Sequence, residues 1–154
     1  MQTPFSSRRL MRDVMTPSPH SIGHDQKLSL AHQIMRKHHI RHLPVLEAGK
    51  LVGVLSQRDL FLVETLRDVD PEEVEVSDAM SSEVFHVEPT ADLADIAREM
   101  GEKKIGCAVV LDGDKVIGVF TTTDALRVLA EMLAPPRKEF AADTSKAKKA
   151  ARPS

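Results

Sequence analysis

The stretch Gly53-Val54-Leu55-Ser56-Gln57-Arg58-Asp59 returns 65 positions later as Gly118-Val119-Phe120-Thr121-Thr122-Thr123-Asp124. The same offset carries Asp13, Met15, Leu28, Met35, Ile40, Val45, Leu46 and Lys50 onto Asp78, Met80, Leu93, Met100, Ile105, Val110, Leu111 and Lys115. A shift held without a gap over roughly fifty residues marks an internal duplication. Two copies imply pseudo-twofold packing, and with it a pair of related crevices.

Outward from the repeated string, each copy carries the same elements. Ser21-Ile22 leads into Asp25, after which Leu28, Ala31, Ile34 and Met35 recur at helical spacing and predict a helix over about residues 26–38. Leu93, Ile96, Ala97 and Met100 answer in the second copy. Next come two apolar runs joined by a short turn, Leu43-Pro44-Val45-Leu46 and Leu51 to Leu55, matched by Ala108-Val109-Val110-Leu111 and Val116 to Phe120. Runs this close together predict a hairpin. A second helix starts near Ser56 and Thr121. The expected class is therefore α/β, two copies of short strand, helix, strand, strand, helix, packed through their sheets. The copies span 10–67 and 76–133, with an N-terminal extension at 1–9, an acidic linker at 68–75 and a basic tail at 134–154.

A chain of 154 residues can bury about two-thirds of the surface its unfolded form exposes, whereas either copy alone would be marginal. Aromatic residues make up 3%, with no Trp or Tyr, so aliphatic packing supplies the core. A single cysteine, Cys107, cannot form an internal disulfide, and no apolar run approaches the ~20 residues of a membrane span. Residues 1–12 are polar, carry Arg8, Arg9 and Arg12, and lack the apolar segment of a secretory signal. The expectation is a cytoplasmic protein.

The formal net charge of -2 hides an imbalance. Beyond Pro135-Pro136 the tail sets Arg137, Lys138, Lys146, Lys148, Lys149 and Arg152 against Glu139 and Asp143. A solubilising extension without fixed structure is the expected role, because so small a surplus of cations gives only weak, salt-sensitive binding to nucleic acid. The acidic linker lacks the glycine and the alternating oxygen ligands of a calcium loop.

Ser56-x-x-Asp59 and Thr121-x-x-Asp124 each follow a strand and open a helix, where a capping box belongs. The same geometry suits a ligand, since a carboxylate in the first helical turn can accept hydrogen bonds from the vicinal hydroxyls of a ribose, and free N–H groups face an anion. Both readings stay open on the motif alone. Gly53 and Gly118, in mid-strand, let some group approach the backbone closely.

The strings Ile40-Arg41-His42-Leu43-Pro44-Val45, Gly53-x-x-Ser56-x-x-Asp59, Ile105-Gly106-Cys107-Ala108-Val109-Val110 and Gly118-x-x-Thr121-x-x-Asp124 follow Asp13-Val14-Met15-Thr16-Pro17 and Asp78-Ala79-Met80-Ser81. Together they resemble a tandem pair of cystathionine-β-synthase (CBS) domains, a Bateman module, over about residues 10–133. The resemblance implies a regulatory module with two clefts for adenosine compounds: AMP, ADP, ATP or S-adenosylmethionine. It implies that Asp59 and Asp124 hold ribose, and that Ser56 and Thr121 serve ribose or phosphate. It also implies that backbone around His20, Ile40 and Arg41 in copy one, and Phe85, Ile105 and Gly106 in copy two, reads the base. Arg41-His42 corresponds to Gly106-Cys107 and Arg58 to Thr123, so phosphate-binding cations gather on one side and unequal clefts are expected. Arg58 is a candidate phosphate ligand; the alternative is an exposed helix residue.

Six of the seven histidines fall in copy one. His38 and His42 are four apart, but the chain turns from helix to strand between them, which spoils a common metal-binding face. Cys107 has only His86 as a potential base in its copy, and Ser56 has no recognisable base and acid partners. No catalysis, metal or required cofactor is expected. The expected function is an adenosine-ligand sensor, paired with a second copy of itself and acting on a protein target that the sequence does not name, with no membrane partner. The alternative is a scaffold that assembles a partner without ligand.

Overall fold

The computed structural model describes residues 8–66 and 68–134; the basic tail from 135 and most of the N-terminal extension lie outside the described residues. In chain order the elements are α1 (Met11–Val14), β1 (Thr16–Pro17), β2 (Ile22–Gly23), α2 (Leu28–His38), β3 (His42–Glu47), β4 (Lys50–Ser56) and α3 (Gln57–Glu64). They continue with α4 (Val76–Ala79), β5 (His86–Val87), α5 (Leu93–Lys103), β6 (Cys107–Asp112), β7 (Lys115–Thr121) and α6 (Thr122–Leu133). The strand, helix, strand, strand, helix unit thus occurs twice, as the duplication requires.

Within each unit the first strand pairs parallel with the second, β2 with β3 and β5 with β6. Parallel neighbours need a crossover, which α2 and α5 supply. The second and third strands form antiparallel hairpins whose register slips at equivalent places, Val45/Leu46 and Val110/Leu111. Ala48 and Gly49, both at positive φ, form the two-residue turn of the first hairpin, the backbone hand that matches strand twist. Leu43, Val45 and Leu55 are fully buried in one core, and Ala108, Val110 and Phe120 in the other. Each large aliphatic group so buried contributes about 1.5–3 kcal/mol.

The two units exchange their leading segments. Met11, from α1, is fully buried among Val87, Met100, Phe120 and Val128 of the second unit, while Val76, from α4, packs with Ile22, Leu28 and Leu60 of the first. Strand β1 pairs antiparallel with β7, Thr16 opposite Val119, and Ser81 bridges Val54 in the equivalent place. This explains Gly53 and Gly118. A Cβ at Gly53 would lie 2.5 Å from Met80 Sδ and 2.8 Å from the Ser81 carbonyl, and one at Gly118 would run into Met15. The group that approaches each glycine is the other unit's leading segment.

Helix α2 begins at Leu28, two residues later than the periodicity predicts. Its first N–H groups are satisfied by the linker: Leu28 N donates to Val74 O and Ser29 N to Pro71 O. Leu93 N, at the start of α5, donates to Arg9 O in the same manner. Lys27 supplies no side-chain cap to α2, so linker carbonyls serve instead, whereas Asp92 caps α5 by accepting from Ala94 N at 2.9 Å.

Candidate functional site

Both Ser/Thr-x-x-Asp strings fold as capping boxes. Asp59 N donates to Ser56 Oγ at 3.1 Å, and Ser56 N donates to Asp59 Oδ2 at 2.8 Å. Asp124 N donates to Thr121 Oγ1 at 3.4 Å, and Thr121 N to Asp124 Oδ2 at 2.8 Å. Capping is therefore common to the two; what surrounds each carboxylate is not.

Asp59 is half-buried, and its Oδ1 accepts no hydrogen bond from the described residues. It lines an open cleft of about 1070 Å³ at the junction of the units. Arg41, Ser56 and Arg58 from the first unit line the same cleft, together with Phe85, Ile105 and Gly106 from the second. The cleft is thus built across the pseudo-twofold. Seven of the residues picked out in the sequence meet here, and four do not. Ile40 packs against the first core, His20 stacks on His38 with ring centroids 3.7 Å apart, and Thr121 and Asp124 engage each other.

Asp124 is only 2% exposed. Its Oδ1 accepts from Thr16 Oγ1 at 2.9 Å and from Arg127 Nη1 at 3.0 Å, while Oδ2 accepts from Thr121 N and, at 3.1 Å, from Thr121 Oγ1. Four donors saturate this carboxylate.

Charge in the Asp59 cleft is weighted to the positive, with Arg41, Arg58 and Lys104 facing Asp59 and Glu83. His42, also on the wall, has its pKa lowered from 6.5 by burial; Asp59 pulls it back upward and Arg41 lowers it further. Gly106 sits against this imidazole, and a Cβ there would come within 3.4 Å of His42 Nε2. Cys107 closes the floor, buried, its thiol pushed up to about 12 by burial and then by the Asp124 charge. His42, Lys104 and Cys107 line the cleft in addition to the candidates read from the sequence. The only signal in the sequence was that His42 and Cys107 are equivalent under the offset and adjoin Arg41 and Gly106.

Two duplicated units exchange their leading segments and enclose a cleft at their junction. The CBS domain model matches residues 11–64 and 76–131, and the chain belongs to the CBS domain family. It is 28% identical over 114 residues to the CBS domain-containing protein YhcV of Bacillus subtilis, covering 74% of this chain and 81% of that one. Among solved structures, CBSX2 from Arabidopsis thaliana superposes with a TM-score of 0.71 at 26% identity, over 82% of this chain and 97% of its own; CBSX2 has also been solved with AMP. The CBS pair of MJ0100, solved with 5'-methylthioadenosine and S-adenosylmethionine, superposes with a TM-score of 0.72 at 23% identity, over 81% and 98% of the two chains. No helix among the described residues is long and apolar enough to cross a membrane.

Proposed function

We propose that the protein is a regulatory sensor that binds an adenosine nucleotide in the Asp59 cleft. The observation that carries this reading is the free Asp59 oxygen facing a cleft walled by residues of both units. Asp59 Oδ1 accepts from a ribose hydroxyl while Oδ2 keeps its capping bond. Phe85, Ile105 and Gly106 receive the base, and Arg41 and Arg58 receive phosphate. The volume suits a ligand of this size. CBSX2 and MJ0100, relatives in fold, hold adenosine compounds. The surplus of cations favours AMP, ADP or ATP over S-adenosylmethionine, whose sulfonium is itself positive.

A ligand touching both units favours one packing of the pair over another, by its difference in affinity for the two. The output surface is the apolar face of α3 and α6, where Phe61 is 50%, Leu62 61%, Leu126 65% and Leu133 65% exposed. A second copy of the chain covers this face, and a cytoplasmic protein target reads the change. The test is a thermal shift with AMP, ADP, ATP and S-adenosylmethionine, in which a ligand at 100 times its Kd adds about 2.7 kcal/mol. A rise in Tm with a nucleotide is expected; no rise with any of the four leaves a ligand-free scaffold.

A further inference from the structure

We infer that the pair is a one-site receptor: ligand enters the Asp59 cleft, and the pseudo-equivalent cleft at Asp124 is shut by side chains of this chain. The inference rests on the nucleotide-binding reading above and concerns which of two duplicated sites carries it.

The offset that relates the units makes the comparison residue by residue. Arg127 stands where the first unit has Leu62, and Thr16 where it has Ser81. Leu62 and Ser81 leave Asp59 alone: Leu62 has no donor, and the Ser81 hydroxyl donates instead to Glu83 O at 3.4 Å. Thr16 and Arg127 both donate to Asp124, which with Thr121 takes up every acceptor position that a sugar would use. The Arg127 pair is not a loose surface contact on the acidic side, because the Asp124 side chain is 4% exposed. A ribose would have to displace partners from a carboxylate that is itself buried.

The base sides differ as well. His20 occupies the position of Phe85, yet its ring lies on His38 at an interplanar angle of 19°, whereas Phe85 lines the open cleft. Arg41, the equivalent of Gly106, lines the Asp59 cleft. Duplication has therefore supplied two copies of the motif, and Thr16 and Arg127 hold one of them as a structural clasp.

The experiment is isothermal titration of the full chain with AMP, ADP and ATP, repeated on Asp59→Asn, which keeps an acceptor for the Ser56 N–H. One equivalent per chain is expected, with binding by Asp59→Asn weakened at least tenfold and no second equivalent left behind. Two equivalents in the natural chain, or one undiminished equivalent in Asp59→Asn, overturns the one-site reading while leaving nucleotide binding intact. No binding of any nucleotide defeats the functional reading and this one with it.

Discussion

Thr16 Oγ1 donates to Asp124 Oδ1 across 2.9 Å, joining side chains 108 positions apart. Through this bond the segment that precedes the first unit is tied to the motif helix of the second, next to the β1–β7 pairing. Thr16→Val should cost about 1 kcal/mol, the net worth of one such bond. Asp124→Ala should cost about 1–3 kcal/mol, because it also uncaps α6 and strips the acceptor from Thr121. Urea unfolding followed by circular dichroism measures both; a neutral Asp124→Ala would contradict the clasp.

Gly53 is a packing requirement. With Met80 Sδ and the Ser81 carbonyl where a Cβ would go, Gly53→Ala forces apart the Val54–Ser81 bridge. A loss of about 1–3 kcal/mol is expected, the usual range for overpacking. Chemical denaturation is the measurement, and an unchanged midpoint would mean that the exchanged segment does not lie against this strand.

Acid should weaken the fold before the carboxylates titrate. His38, through desolvation and then the charges of His20, Lys37 and His39, and His42, chiefly through burial, have pKa values below 6.5 in the folded chain. The unfolded chain, titrating near 6.5, therefore binds more protons as the pH falls. Stability from the neutral rings is fully present above that pH and is lost on going down through the folded values. Tm measured from about pH 7.5 to 5.5 should decline, and less steeply in His42→Gln. A Tm that rises on acidification would contradict the assigned directions.

Cys107 should resist alkylation. A pKa of about 12, against 9.0 for the free group, lowers the thiolate fraction at about pH 8 by about 10³-fold, and burial blocks approach. Iodoacetamide followed by mass spectrometry should find it unmodified until denaturant is added. Rapid labelling of the native chain would mean that the cleft floor is open.

The architecture was legible because duplication writes it twice: Leu28, Ala31 and Met35 mark a helix, and their equivalents Leu93, Ile96 and Met100 mark it again. The capping strings were legible for the same reason, since a cap is a contact between residues three apart. The exchange of Met11 and Val76 between cores was not, because periodicity says that a residue is buried and not in which unit. Nor was the joining of Asp59 with Phe85, Ile105 and Gly106. Residues of one copy were grouped together along the chain, whereas the pseudo-twofold sets each motif opposite the other copy's strand entry. The unequal fates of Asp59 and Asp124 turn on Arg127, three residues along α6 from Asp124, and on Thr16, 108 positions away, which only the fold brings to it.

The central claim, that the Asp59 carboxylate holds the sugar of a nucleotide, is tested most directly by a crystal structure of the protein grown with millimolar AMP. Density for AMP is expected between the two units, with a ribose hydroxyl at about 2.6–3.2 Å from Asp59 and the phosphate beside Arg41 or Arg58. A nucleotide bound elsewhere, or a cleft holding solvent alone at saturating AMP, would contradict it.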